Sequence, residues 1–447
     1  MNELIIKKSP QNWQILQQHG GFAKVSLSGE TYCNEKDSRV CIRVCNEKTY
    51  QDVIVPLYIK PVDNKWSAEF SLPAGGLYTI TVFLRVGERE LRCAHRILHI
   101  GVGDNYIIAG QSNASGNSKD IIADDYNENI HLFRLSGKWD IATHPLHDAT
   151  DAVFPDIYKE FGYHSPWLAF AKILNESTGY PIGLIPTAVG GTPLSFWNRK
   201  EDGHLFESML KMVELSGVEV KGVLWYQGCN DTGLEELANT YFDRFKLVCE
   251  DFKKSFYENI PIITVQINKQ TYRLKEHLRS WSVIREAQRQ AAKSIENVYV
   301  VPSLDLPLCD TIHNCSASNF VVAQRASNVA LKYIYNKSNI GDFPDINRAG
   351  KLSGNTVRLY FDNVIDSLST DYLDVENLVL QVEDEKGINK IKNVTFNPNN
   401  TVDIFLEREI VGKSKIGCNN LSYTGGVLYD VLTRYPMIAF DNVEIES

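Results

Sequence analysis

The sequence predicts an α/β protein, a three-layer α/β/α unit with a parallel sheet, flanked on either side by a β-sandwich-like unit. Three observations lead to that class. Between residues 104 and 345, short apolar runs alternate with helical segments. The stretches 1–103 and 346–447 instead hold strand-like runs parted by Gly-, Pro-, Asn- and Asp-containing turns. A chain of 447 residues also exceeds what one core ordinarily serves, so two or three domains are expected.

In the first stretch, Trp66–Leu72 alternates in places. Pro73-Ala74-Gly75-Gly76 then makes a turn into Leu77–Leu84, a run rich in β-branched and aromatic residues. Val53–Ile59 and Ile97–Val102 add strands, and a small sandwich is the natural way to bury them. In the middle stretch the expected strands are Tyr106–Ala109, Ile182–Thr187, Gly222–Tyr226, Ile262–Ile267 and Val298–Pro302. The expected helices are Pro166–Leu174, Leu205–Leu215, Glu235–Phe256, Arg279–Ala292 and Asn319–Tyr335. Right-handed crossovers would put the carboxyl ends of these strands on one edge of the sheet. The last stretch offers Thr356–Phe361, Leu378–Val382, Thr401–Phe405 and Val427–Leu432.

Composition excludes some partners. A net charge of −9 argues against nucleic acid and anionic membranes. No apolar run approaches the ~20 residues that span a bilayer. The first residues, Met1 to Ser9, lack the apolar core of a signal peptide, which points to the cytoplasm. The nine cysteines include no C-x-x-C pair and are expected as reduced thiols. Cys309 and Cys315 flank His313, but their spacing fits no zinc pattern. His144 and His147 share a segment with Asp148 and Asp151; without i, i+4 geometry this reads as a polar loop rather than a metal site. No metal and no organic cofactor are expected.

Four segments of the middle stretch place polar residues after apolar strands. They are Gly110-Gln111-Ser112-Asn113, Gly190-Gly191-Thr192-Pro193, Trp225-Tyr226-Gln227-Gly228-Cys229-Asn230-Asp231 and Asp310-Thr311-Ile312-His313. Acyl transfer needs an activated hydroxyl, a base and fixed donors for the oxyanion. Ser112 can supply the hydroxyl and His313 the base. Asp310, three residues earlier, can meet the imidazole in a tight loop and fix its tautomer. Backbone amides of Ser112 and of Gly191 or Gly190 can face the oxyanion, with Asn230 or Gln227 adding a side-chain amide. Each piece also has an ordinary structural reading. A serine after a strand is often a helix cap, a Gly pair often a turn, and Trp225-Tyr226 core packing.

The order of the four segments carries further weight. Ser, Gly, Asn and Asp-x-x-His resemble the four blocks of the SGNH (GDSL-type) hydrolases. The surrounding words are similar to the sialate O-acetylesterase-like branch, which includes plant and bacterial carbohydrate acetylesterases. They are Gly110-Gln111-Ser112-Asn113, Gly190-Gly191-Thr192-Pro193 with Trp197, His204–Met209, Lys221–Gly228 and Arg285-Glu286-Ala287-Gln288. The resemblance covers residues 104 to 335 at least, and the β-rich flanks resemble longer members of the branch. The branch usually has Glu where this chain has Cys229, and Pro where it has Asn314.

The resemblance implies a serine esterase that removes O-acetyl groups from a carbohydrate, with sialic acid as the leading substrate. In the roles it implies, Ser112 attacks, His313 is the base and Asp310 orients it. Ser112, Gly191 and Asn230 would hold the oxyanion, with Gly190 and Gln227 as alternatives. Gln111, Asn113, Trp197 and Gln227 are expected at the substrate. An anionic sugar would call for a cation, and Arg199, Lys269 and Arg273 are the candidates by position. Acetylxylan or another polysaccharide ester is the alternative substrate. A carbohydrate-binding protein with a decayed site is the alternative from another class.

Overall fold

The computed structural model describes residues 3–33, 37–120, 122–153, 162–271, 275–371, 374–419 and 426–447. The strands of its central sheet are, in chain order, Arg89–Gly110 (β1), Ile130–Phe133 (β2), Trp139–Ile141 (β3), Ile182–Pro186 (β4), Gly222–Tyr226 (β5), Ile262–Val265 (β6) and Val298–Val301 (β7). In space they run β3-β2-β4-β1-β5-β6-β7. All neighbours are parallel except β3, which turns back antiparallel on β2. Every residue of β4, β5 and β6 is buried, which is why these strands read as unbroken apolar runs rather than alternating ones.

Strand β1 is 22 residues long, where the sequence suggested two separate strands. Its first part pairs antiparallel with Gly75–Val86, and its last part joins β4 and β5 in parallel. Nothing between Ile97 and Gly110 forces a break, because the segment holds no proline. Gly101 and Gly103 instead let Pro181 and Ile15 press against the strand; a Cβ on Gly103 would lie 1.8 Å from the Pro181 carbonyl oxygen. The expected junction near residue 103 therefore falls inside a continuous strand. The Pro73–Gly76 turn does not make a hairpin. Lys65–Pro73 pairs with Phe22–Tyr32, whereas Gly75–Val86 pairs with Ser38–Asn46, so the turn carries the chain from one sheet to another.

The helices are Ser112–Ser115 (α1), Trp167–Thr178 (α2), His204–Ser216 (α3), Tyr241–Ser255 (α4), Lys275–Ser294 (α5) and Ser316–Tyr333 (α6). The expected helix Glu235–Phe256 is interrupted: Glu235–Asn239 stops at Thr240, whose hydroxyl donates to the Glu236 carbonyl at 2.8 Å. Aromatic side chains tie helices to sheet. Trp225 of β5 packs on Phe245 and Phe252 of α4, and Tyr106 of β1 meets Phe170 of α2 edge-on. Buried apolar side chains form a central cluster, a second in the N-terminal strands and a third in the C-terminal strands.

Residues 345–446 hold an eight-stranded sheet. Thr356–Asp362 and Thr401–Leu406 pair antiparallel within it. Outside the central sheet, three expected strands are shorter than expected. Val53–Ile59 reduces to Leu57–Ile59, after Pro56, which has no N–H for a ladder. Leu378–Val382 keeps an isolated parallel bridge of Leu378 to Gly426 after a 3-10 turn and enters a ladder at Gln381, and Val427–Leu432 keeps Tyr429–Asp430. The parallel register sets Gly110 beside Tyr226, Ile108 beside Pro186, and Val265 beside Val301. The segments after β1, β4, β5 and β7 thus leave the sheet along one edge, where ligand sites of open α/β sheets form.

Candidate active site

Strand β1 ends at Gly110, with φ +125°. A Cβ there would lie 2.3 Å from the Tyr226 carbonyl oxygen, so both the backbone angle and the approach of β5 require glycine. The chain then turns into α1, and Ser112 is its first residue. The Ser112 N–H has no acceptor within so short a helix. The Ser112 hydroxyl lies 2.9 Å from His313 Nε2. Ser112 and His313 are 201 positions apart in sequence, so only folding brings them together.

His313 sits in the segment between β7 and α6. Its Nδ1 is 2.7 Å from Asp310 Oδ2. The other carboxylate oxygen accepts the backbone N–H groups of Ile312 at 2.9 Å and His313 at 2.8 Å. Burial alone would raise the Asp310 pKa. The N–H donors of Ile312 and His313 and the imidazole outweigh it and hold the carboxyl below its ordinary value. An ionised Asp310 keeps the ring proton on Nδ1, which leaves Nε2 free to accept the serine proton. Asp305, the other nearby acid, is engaged elsewhere: it receives two guanidinium N–H groups from Arg325 at 2.8 and 2.6 Å.

Gly191 (φ +70°) and Asn230 line one cavity with Ser112 and His313. Asn230 Nδ2 donates to the Gly191 carbonyl at 2.7 Å, which leaves the amide's second N–H over. The Asn230 backbone is fixed in turn by Gln111, whose Oε1 accepts the N–H groups of Gly228 at 3.1 Å and Asn230 at 3.2 Å. A cavity of about 350 Å³ joins these groups; Gln111, Ser112, Gly191, Asn230 and His313 line it together with Asn117, Thr232, Gln270 and Trp281. Cys229, in the place where the sequence departs from its branch, also lines it. Burial pushes its thiol up to about 12, so it stays protonated and is no competing nucleophile.

Three expected substrate contacts are corrected. Asn113 is buried, and both ends of its amide are occupied. Its Nδ2 donates to the Ile312 carbonyl at 3.3 Å and its Oδ1 accepts the Asn314 N–H at 3.1 Å, so it holds the histidine loop to the serine loop. Gln227 is fully buried. It donates to Asp231 at 2.7 Å and to the Thr192 carbonyl at 3.1 Å, and accepts from Tyr241 at 2.9 Å, which removes it from the oxyanion as well. Trp197 is fully buried against Trp225, with ring centroids 5.3 Å apart. Among the candidate cations, Arg199 pairs with Glu207 at 2.7 Å. Lys269 is buried on the Leu304 carbonyl at 3.4 Å, its pKa lowered by burial. Arg273 lies outside the described residues.

Two residues that the sequence reading named without assigning a role hold this geometry. Asp231 is fully buried. It accepts from Leu194 N–H at 2.9 Å, Gln227 at 2.7 Å and Arg244 at 3.0 Å, and so joins the glycine segment to the Asn230 segment. Burial lifts its pKa above the ordinary carboxylate value. Asn314, where the branch usually has proline, makes four bonds. Its side chain accepts from Asn268 at 2.8 Å and donates to Tyr226 at 3.3 Å; its N–H reaches Asn113, and its carbonyl accepts the Ser118 hydroxyl. A hydrogen-bonded amide thus fixes the chain after His313. Short polar residues beside a catalytic motif were the available signal for both.

This polar cluster stands at the carboxyl ends of the strands of a mixed α/β fold, and the family match makes the chain a hydrolase of the carbohydrate esterase class. The chain belongs to the family described as carbohydrate esterase, sialic acid-specific acetylesterase, whose profile matches residues 102–332. A probable carbohydrate esterase of Arabidopsis thaliana is 31% identical over 232 residues, 46% of this chain and 82% of that protein. The sialate O-acetylesterase of Homo sapiens is 28% identical over 112 residues, which span 20% of this chain and 21% of that protein. The fold is similar along its whole length to a carbohydrate acetylesterase from Xanthomonas citri. The TM-score is 0.67 at 16% identity, over 98% of this chain and 99% of that one.

Proposed function

We propose that this carbohydrate acetylesterase works by an acyl-enzyme mechanism on Ser112, and that O-acetylated sialic acid is its leading substrate. The observation that carries the mechanism is the relay of Ser112, His313 and Asp310, with contacts of 2.9 and 2.7 Å. His313 takes the hydroxyl proton as Ser112 attacks the acetyl carbonyl, then returns it to the departing sugar oxygen. Water repeats the cycle on the acyl-serine and releases acetate. The backbone N–H groups of Ser112 and Gly191 and the Asn230 amide face the oxyanion. No step calls for a metal or an organic cofactor. The proposed catalytic unit spans 104–345, with β-rich units at 1–103 and 346–447, and strand β1 runs unbroken through the first of these boundaries.

Acetate release from O-acetylated sugars tests the activity. Replacing Asn230 with Ala is expected to lower kcat by about 10²–10³-fold with a smaller change in KM, because the donor acts mainly on the developing charge. Steady-state kinetics on the folded variant reads this directly.

The sialic acid reading rests on the family description. Arg273 is its candidate carboxylate partner, being three residues beyond Gln270 of the cavity rim. A second reading, a neutral polysaccharide acetate, is favoured by Asn117, Thr232 and Gln270 along the cavity, since amides and hydroxyls suit sugar hydroxyls. Arg273→Ala separates the two. For sialic acid recognition, kcat/KM should fall about tenfold or more on an O-acetyl sialic acid and stay near wild type on an acetylated xylo-oligosaccharide. Equal behaviour on both esters favours the neutral substrate.

A further inference from the structure

The histidine-containing loop beyond β3 does not stand alone as the sequence suggested. His144 there converges with Asp124 and with His164, which lies just before α2. The ligand atoms of these three side chains lie within 4.8 Å of one another. His144 Nε2 is 2.9 Å and His164 Nε2 is 3.4 Å from the same oxygen, Asp124 Oδ2. The Asp124 side chain is 1% exposed and that of His164 is 6% exposed. His164 Nε2 faces Asp124 without meeting hydrogen-bond geometry and has no other described partner.

We propose that Asp124, His144 and His164 form a binding site for a divalent transition-metal ion of the zinc type, with a structural role. Two imidazole nitrogens and one carboxylate oxygen are a donor set that zinc takes. Ligands at about 2.05 Å in tetrahedral directions stand roughly 3.3 Å apart, close to the 2.9 and 3.4 Å that separate the two imidazole nitrogens from the Asp124 oxygen. Lys172 Nζ contacts the other oxygen of Asp124 and also donates to the Asp125 carbonyl at 2.9 Å. It is the competing cation. Its side chain is 23% exposed, so the ammonium can leave the carboxylate for solvent when an ion enters. Asn319 stands behind His164, with Nδ2 3.3 Å from ring Nδ1 and its own Oδ1 buried without a described partner.

The site lies outside the proposed reaction and touches it through the scaffold. Asn319 also donates to Ser118 Oγ at 2.7 Å, and the Ser118 hydroxyl donates to the Asn314 carbonyl, next to His313. A bound ion would brace the segment that carries the base.

Calorimetric titration of chelator-stripped full-length protein with zinc chloride tests the site. The expected result is one zinc ion per chain, bound about tenfold or more weakly by Asp124→Asn and more tightly by Lys172→Met, which lacks the competing ammonium. Cobalt(II) on the wild-type protein supplies a readout that needs no variant to fold: visible bands of a nitrogen–oxygen site without a thiolate charge-transfer band. No saturable binding in either wild type or Lys172→Met would overturn the proposal. A thiolate band, or equal zinc affinity in wild type and folded Asp124→Asn, would do the same.

Discussion

Replacing Ser112 with Ala is expected to lower kcat for acetate release by at least about 10⁴-fold, while leaving the fold unchanged. The size follows from the proposed chemistry, because without the hydroxyl there is no acyl-enzyme and only binding and oxyanion stabilisation remain. The stability side follows from the local structure. The Ser112 hydroxyl is hydrogen-bonded to His313 Nε2. The carbonyl of the same residue, which accepts the Gly116 N–H at 2.9 Å, is untouched by the change. Thermal unfolding beside the kinetics separates the two: the melting midpoint should stay near wild type as the activity disappears.

Asp310→Asn should cost nearly as much, about 10⁴-fold in kcat. The asparagine oxygen can still receive the N–H groups of Ile312 and His313, which approach within 2.9 and 2.8 Å, so the loop keeps its shape. The group facing imidazole Nδ1 becomes an N–H donor. Nδ1 must then accept, the ring proton moves to Nε2, and the base toward Ser112 is lost. Asp305→Asn is the matching control. It weakens the contact with Arg325, whose side chain is 8% exposed, and should cost roughly 1.5–3 kcal/mol of stability with kcat kept. If Asp305→Asn abolished kcat and Asp310→Asn spared it, the orienting carboxylate would be wrongly assigned.

Much of this arrangement is legible in the sequence because of where its polar residues stand. The strands of the central sheet are buried on both faces and are written as short apolar runs. Each run is followed by the segment that holds one functional group, which is why Ser112, Gly191, Asn230 and Asp310–His313 could be selected before their geometry was known. The direction in which a side chain faces is not written in that way. Gln227 and Trp197 belong to motif words, yet the fold turns both inward, one onto Asp231 and the other onto Trp225. Asn113 follows Ser112 and serves the histidine loop instead of a ligand. Spacing also hid Asp124, His144 and His164, which come from three segments and show no helical periodicity. The continuous strand through residue 103 was hidden for another reason, since Gly101 and Gly103 add no side chain to the apolar pattern and serve close packing instead.

The central claim is that Ser112 is an activated nucleophile, and covalent labelling of the full chain with a fluorophosphonate tests it most directly. The account predicts one label, mapped to the peptide that holds Ser112, lost in Ser112→Ala and much slower in His313→Ala. A wild-type protein that hydrolyses acetyl esters but takes no label at Ser112, or a Ser112→Ala variant that keeps full activity, would contradict it.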